Sequence, residues 1–236
     1  MSVTDSTSDG GPGEEPSRRS FLRSGIGIAA IPMGAAEASI SKETAPIPPE
    51  PTNPRLTTFS AGTRGEYRIV SMQTLVGDPL PSADRISIVP GTNRLETEGS
   101  TWTLRGVTSN ERYVDRSEKR RLAEVQAPLG RATSDVSVLI PLRKTPAWWA
   151  LTQEERREIF ESRSHHIQIG LRALPAVARR LYHCRDLATV EPFDFITQFD
   201  FASADTAKFD ELLAALRAGE EWRYIDRECE IRMVRD

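Results

Sequence analysis

The sequence predicts an α+β fold built on a ferredoxin-like unit, and three observations carry that expectation. The second half alternates strand, helix, strand, strand, helix, strand. Within it, "LTQEERREIFESRSHHIQIGLRAL" has amphipathic spacing behind a capping box of Thr152 and Glu155, and it stops before Pro175. The first half offers three strands in succession before any helical pattern.

The first 38 residues stand apart from the fold. "PSRRSFLR" places a twin arginine, Arg18 and Arg19, ahead of "SGIGIAAIPMGAAEA", which ends in Ala36-Glu37-Ala38. That is the pattern of a twin-arginine (Tat) export signal, so a periplasmic or otherwise exported protein starting near Ser39 is expected. The apolar run from Gly25 to Ala36 is too short and glycine-rich to cross a bilayer, which needs about 20 apolar residues. Residues 39–65 are dense in proline and polar residues and read as a linker or arm. The folded domain is expected over 66–236, with an N-terminal half over about 66–130 and a C-terminal half over about 131–236.

Strands are expected at "EYRIVSMQTLVG", "RISIVPG" and "TWTLRGVTS", where apolar and polar residues alternate between turn residues. "NERYVDRSEKRRLAEVQA" has helical spacing, with Tyr113, Val114, Leu122 and Val125 as its apolar positions. "SDVSVLIPLRK" reads as a buried strand, with Pro141 marking an edge or a bulge. After the helix at 151–174 come strands at "ARRLYHCRD" and "FDFITQFDF", a helix at "SADTAKFDELLAALRAG" with a glycine exit, and a last strand at "EWRYIDRECEIRMVR".

Composition narrows the function. Removing the signal takes 3 of the 31 basic and 5 of the 34 acidic residues and leaves 28 against 29. A near-neutral chain lacks the basic excess that nucleic acid demands. Cys184 and Cys229 are too few for a disulfide framework and read as buried free thiols.

All three histidines, His165, His166 and His183, fall within "ESRSHHIQIGLRALPAVARRLYHC". On a helix, adjacent side chains point about 100° apart, so His165 and His166 do not converge on one ion, and no His-Glu-x-x-His or Cys-x-x-Cys is present. His166 shares its helical stripe with Ser162, Ile169, Gly170 and Ala173, a small and mostly apolar surface. A flat macrocycle lying against a ligating imidazole requires such a surface; a core histidine bonded to a backbone carbonyl fits it too. A helix reversing at Pro175 would send Arg179 past the far face of a ring held by His166.

The stretches "WTLRGVTSNERYVDRSEK", "QAPLGR", "IPLRKTPAWW", "EERREIFESRSHHIQIG", "LPAVARRLYHCRD", "EPFDF" and "AGEEWRYIDRECEIRMVR" resemble, in order and spacing, the shorter-chain branch of the chlorite dismutases. The resemblance runs from about Trp102 to Asp236. It implies a haem b enzyme whose ferredoxin-like units, the N-terminal one truncated, join antiparallel sheets into a β-barrel. It also implies conversion of chlorite to chloride and dioxygen, and a homodimer. His166 corresponds to the proximal iron ligand and Glu221 to the acid that accepts its hydrogen bond. Arg179 corresponds to the distal arginine that orients chlorite and the hypochlorite intermediate, and Gln126 to the glutamine restraining it. Lys144, Trp148 and Trp149 match a segment near the haem, and Tyr113 a contact to a propionate. Two departures stand out: "RDLATVEPFDF" is longer than the usual link, and Gln198 and Asp200 stand where relatives tend to carry Trp and Glu. Two other uses of the scaffold stay open, a coproheme decarboxylase and a non-catalytic haem-binding module. The first is separated by Arg179 and the export signal, the second by oxygen release from chlorite.

Overall fold

The computed structural model describes residues 53–91, 99–108 and 112–235. The expected export signal and residues 39–52 of the expected arm lie outside them. Eight strands form the fold: β1 (Leu56–Gly62), β2 (Tyr67–Val76), β3 (Arg85–Pro90), β4 (Ser100–Val107), β5 (Val136–Lys144), β6 (Ala178–His183), β7 (Phe195–Phe201) and β8 (Ile225–Arg235). The helices are α1 (Arg116–Val125), α2 (Pro146–Ala150), α3 (Gln153–Arg157), α4 (His166–Ala173) and α5 (Thr206–Arg217).

The strands close a barrel in the order β1-β3-β2-β8-β5-β7-β6-β4, and every neighbouring pair is antiparallel. Numbered within its own half, each set of four strands follows the same order, 4-1-3-2: β4-β1-β3-β2 and β8-β5-β7-β6. That is the strand order of a ferredoxin-like unit. In the C-terminal half, helices connect β5 to β6 and β7 to β8, whereas among the described residues none lies between β1 and β4. The halves join along β2 and β8 on one side and at the single pair Val107↔His183 on the other.

Strand alternation divides the C-terminal sheet between two cores. Leu139, Tyr182, Ile196 and Ile231 point into the barrel with Phe59, Ile86 and Leu104 from the N-terminal half. Val138, Ile140, Phe199 and Phe201 face outward and pack against Ala173 of α4 and Phe209, Leu212, Leu213 and Leu216 of α5. Cys184 and Cys229 are buried free thiols. No helix among the described residues is long and apolar enough to cross a membrane.

Four expectations need correction. The arm expected over 39–65 contains β1, which is buried along its whole length and paired on both sides. The last proline of that stretch is Pro54, and "LTTFSAG" after it has the threonines and phenylalanine that suit a strand. The helix expected from Asn110 starts only at Arg116, because Asp115 accepts the Glu118 N–H at 2.8 Å and caps it, leaving Tyr113 before it at φ 63°. β5 lies between β7 and β8, so Pro141 is not at an edge; the ladder to β8 lapses at Ile140 and Pro141 and shifts between Arg143 and Lys144. The last strand begins at Ile225, since Glu220–Tyr224 form a 3₁₀ turn that turns Glu221 inward.

Candidate functional site

The helix expected over 151–174 is interrupted, and the interruption builds the site. Its start is as expected: Thr152 Oγ1 accepts the Glu155 N–H at 3.2 Å, and Glu155 accepts the Thr152 N–H at 2.7 Å. After α3 the chain widens into a π-helical turn, Glu158–Arg163, a feature frequent at functional sites. His165 then adopts a left-handed conformation, φ 52° and ψ 33°, and α4 restarts at His166. The buried Glu161 carboxylate accepts the Ile167 N–H at 2.7 Å, satisfying a donor that the break would leave orphaned. His166 is therefore the first residue of a helix, with its imidazole beside the chain that follows α5.

Glu221 reaches the imidazole from that chain. Its Oε2 lies 2.7 Å from His166 Nδ1, and its Oε1 accepts from Lys144 Nζ at 2.7 Å. The Glu221 backbone N–H donates to Ser164 Oγ at 2.9 Å, tying the carboxylate to the helix break. Gly219 makes that approach possible, because a Cβ there would meet Ser164 Cβ at 3.0 Å. Burial alone would raise the Glu221 carboxyl, but Lys144 and then His166 outweigh it and hold it at about 2. Burial lowers the Lys144 ammonium while Glu221 pulls it back up. An ionised Glu221 makes Nδ1 the donor, which leaves Nε2 as the ring nitrogen free for a ligand. Phe160 stacks on the imidazole at 4.1 Å between centroids and 21° between planes, fixing its orientation.

A cavity of about 370 Å³ opens in front of this ring, between the helices and the outward face of the C-terminal sheet. His166 lines its helical wall and Arg179, on β6, its sheet wall. Gln126, at the end of α1, lines it as well and donates from Nε2 to the Arg179 carbonyl at 3.0 Å. Tyr113, Lys144, Trp148 and Glu221 also line it. Among the described residues none before Thr108 lines it, so strands β1–β4 close the barrel while α1 and the residues beside it reach the cavity from the N-terminal half.

Seven of the eight expected site residues thus meet in one place, and Trp149 does not. It is not among the cavity's lining residues: its Nε1 donates to Asp194 at 3.1 Å, its ring stacks on Phe195 at 5.9 Å, and Arg156 and Arg185 lie over its faces. Adjacent helical residues point in different directions, so of the pair only Trp148 turns inward. Trp148 carries Lys144 Nζ 4.4 Å above its ring, and its buried Nε1 has no hydrogen-bond partner among the described residues.

The cavity fits a flat macrocycle that brings its own metal. Among the described residues no group of three or more His, Cys, Asp or Glu could hold an ion, whereas a single imidazole suffices for a metal that a macrocycle already holds. Ile140, Leu142, Ile167, Leu181 and Phe199 give apolar walls, and a Cβ added at Gly170, one turn beyond His166, would meet only open space. The unpartnered Trp148 Nε1 suits an acceptor on such a ring's edge.

Three lining or supporting residues had no clear signal in the sequence. Phe160 and Ser164 look like ordinary members of a continuous helix until the π turn and the break place them. His183 lines the cavity with its Nδ1 buried and without a partner among the described residues. Burial, and then the Arg112 charge, lower its imidazole to about 4. The unfolded chain therefore takes up this proton first as pH falls, and stability should drop between about 6.5 and 4 by on the order of 3 kcal/mol from this group. His183→Leu is expected to flatten that part of the profile in urea unfolding at pH 7 and pH 4.5; an equal fall in both proteins would refute it.

The chain is similar to known proteins in sequence and in fold. Residues 90–235 match the sequence model of the chlorite dismutase family. A chlorite dismutase from Ideonella dechloratans is 30% identical over 129 residues, 52% of this chain, and the chain spans 41% of that relative's length. A solved dimeric chlorite dismutase from Nitrobacter winogradskyi is 47% identical with a TM-score of 0.70, covering 76% of this chain and 99% of that one. A variant chlorite dismutase from Candidatus Nitrospira defluvii shares the fold at 20% identity, with a TM-score of 0.58 over 77% of this chain and 91% of that one.

Proposed function

The chain belongs to the chlorite dismutase family, and from that membership we propose that it is a haem b oxidoreductase decomposing chlorite to chloride and dioxygen. The observation that carries the reading is that a carboxylate-backed imidazole, His166 on the helical side, and an arginine, Arg179 on the sheet, line one cavity.

His166 would hold the iron through Nε2, and Trp148 with Tyr113 would meet the acidic arms of the macrocycle. A bound haem would supply redox-active iron for oxygen-atom chemistry on chlorite. Glu221 keeps the Nδ1 proton of His166 engaged, which fixes the tautomer and makes the imidazole a stronger donor. Lys144 keeps Glu221 ionised in a buried position where a lone carboxylate would take up a proton.

Arg179 would draw the small anion into an apolar cavity by charge, orient it, and keep anionic fragments of the substrate in the cavity until chloride and dioxygen are released. Gln126 steadies it through the Arg179 main chain. Trp149 is a buttress: it bonds Asp194 outside the cavity and stacks on Phe195, which lines it.

We also propose a homodimer, as the dimeric Nitrobacter relative suggests, and export to the periplasm on the Arg18-Arg19 signal. The decisive experiment records dioxygen with an oxygen electrode after chlorite is added to the haem-loaded chain. Stoichiometric dioxygen and chloride are expected. A haem-loaded protein that releases no dioxygen, or one that instead converts coproheme to haem b, would overturn the reading.

A further inference from the structure

We propose that Arg131 is a positioning residue for Arg179, the anchor of a strap formed by Gln126–Arg131 across the start of β6. The inference rests on the role given to Arg179 above and goes beyond it to a residue outside the cavity.

The strap is the segment "QAPLGR" that links α1 to β5. Its two ends grip the same five residues. At one end Gln126 Nε2 donates to the Arg179 carbonyl at 3.0 Å. At the other, Arg131 Nη1 donates to the Pro175 carbonyl at 2.9 Å and Nη2 to the Ala176 carbonyl at 2.7 Å, with Asp200 O 3.4 Å from Nη2. Residues 175–179 are most of the connection that leads from the end of α4 at Ala173 to Arg179 on β6. The Pro175 and Ala176 carbonyls precede the first ladder pair between β6 and β7, Ala178↔Asp200, so the Arg131 fork extends that ladder by side chain where main chain has not yet reached.

The strap is itself held in place. Gly130 has φ +75°, where a residue with a Cβ would be strained, and this turn sends its N–H to Asp200 Oδ2 at 2.7 Å. Asp200 is buried in the barrel and its Oδ1 accepts from Ser137 Oγ at 2.7 Å. Asp200 therefore carries the strap. Arg131 does not line the cavity, so whatever it does for bound anions passes through the 175–179 segment. A planar fork can hold successive carbonyls in fixed directions, which an ammonium does less well.

The test uses haem-loaded wild type, Arg131→Gln and Arg131→Lys, and follows fluoride binding to the ferric protein by its absorption spectrum. Arg131→Gln is expected to weaken fluoride by about tenfold, the effect of one charge-assisted contact disturbed, and Arg131→Lys by less. In an Arg179→Ala background the same Arg131→Gln change should add nothing. Hydrogen exchange should quicken at residues 175–181 and stay unchanged at 166–173, a readout that needs no haem. Unchanged fluoride affinity, an equal loss with and without Arg179, or unaltered exchange at 175–181 would each overturn the proposal; if Arg131→Gln does not fold, Arg131→Lys decides by the same criteria. Failure of the wild type to load haem would instead strike the preceding reading, and the exchange comparison would still judge the strap.

Discussion

Arg179→Ala is expected to load haem with its axial bond intact and to release dioxygen from chlorite at least about 100-fold more slowly, with faster bleaching of the haem. The size follows from where the guanidinium stands. Arg179 alternates with Leu181 along the outward face of β6, beside Phe199 of the neighbouring strand, in a cavity whose walls are mostly apolar. In such surroundings a fixed charge acts far more strongly on an anion than it would in water. Removing it should weaken chlorite capture and also let the hypochlorite fragment escape, which links lost dioxygen to oxidative damage. Arg179→Lys keeps the charge and loses the planar fork, so its rate should fall between the two. Oxygen-electrode traces read against Soret decay separate these outcomes; wild-type turnover in Arg179→Ala would remove the guanidinium from the mechanism.

How much of this was legible in the sequence depended on the range of the interaction involved. Strand alternation and capping are local, so β2, β3, β4, β7 and α5 stand near their expected places, and Thr152 caps as its spacing requires. β1 was missed because seven residues after a proline-rich stretch carry little pattern of their own; their burial comes from β3 and β4, far away in sequence. The break at Ser164 and His165 was missed for the same reason. The apolar period runs smoothly through it, and the partners that stabilise it, Glu221 and Gly219, lie more than fifty residues on. The small, apolar stripe around His166 fits a core histidine as well as a ligand, so its expected role comes from the family resemblance, and the break removes Ser162 from that stripe. Trp149 was carried along with Trp148 by adjacency, and only the geometry of α2 tells them apart.

The two halves share a strand order but differ in what covers their sheets, and that difference places the cavity. Both halves offer a four-stranded sheet in the order 4-1-3-2, but only β8-β5-β7-β6 is faced by helices among the described residues. A sheet face alone cannot enclose a ligand. The ring nitrogen, its carboxylate and the apolar roof all come from the helical layer, while the sheet contributes Arg179, Lys144 and the floor. The site is thus a property of the space between layers, and changes confined to β1–β4 should reach it only through the stability of the barrel.

His166→Ala should all but abolish haem retention, lowering affinity by well over about 100-fold. Outer partners of a ligating histidine alone are worth roughly 10- to 100-fold, and this variant removes the axial bond together with its partner. It also leaves Glu221 buried with Lys144 as its remaining charged hydrogen-bond partner among the described residues. The apolar walls survive, so residual binding should be weak and without a histidine-ligated spectrum. Added imidazole should recover part of that spectrum, because the space vacated in front of Phe160 and beside Glu221 is that of the lost side chain. Glu221→Gln, which keeps the shape and loses the charge, is the graded control: it should bind haem, with a weakened iron–histidine stretch in its Raman spectrum. If His166→Ala held haem as tightly as wild type with an unaltered Soret band, the iron would have to be ligated by a different residue, and the roles assigned to Glu221 and Lys144 would fall with it.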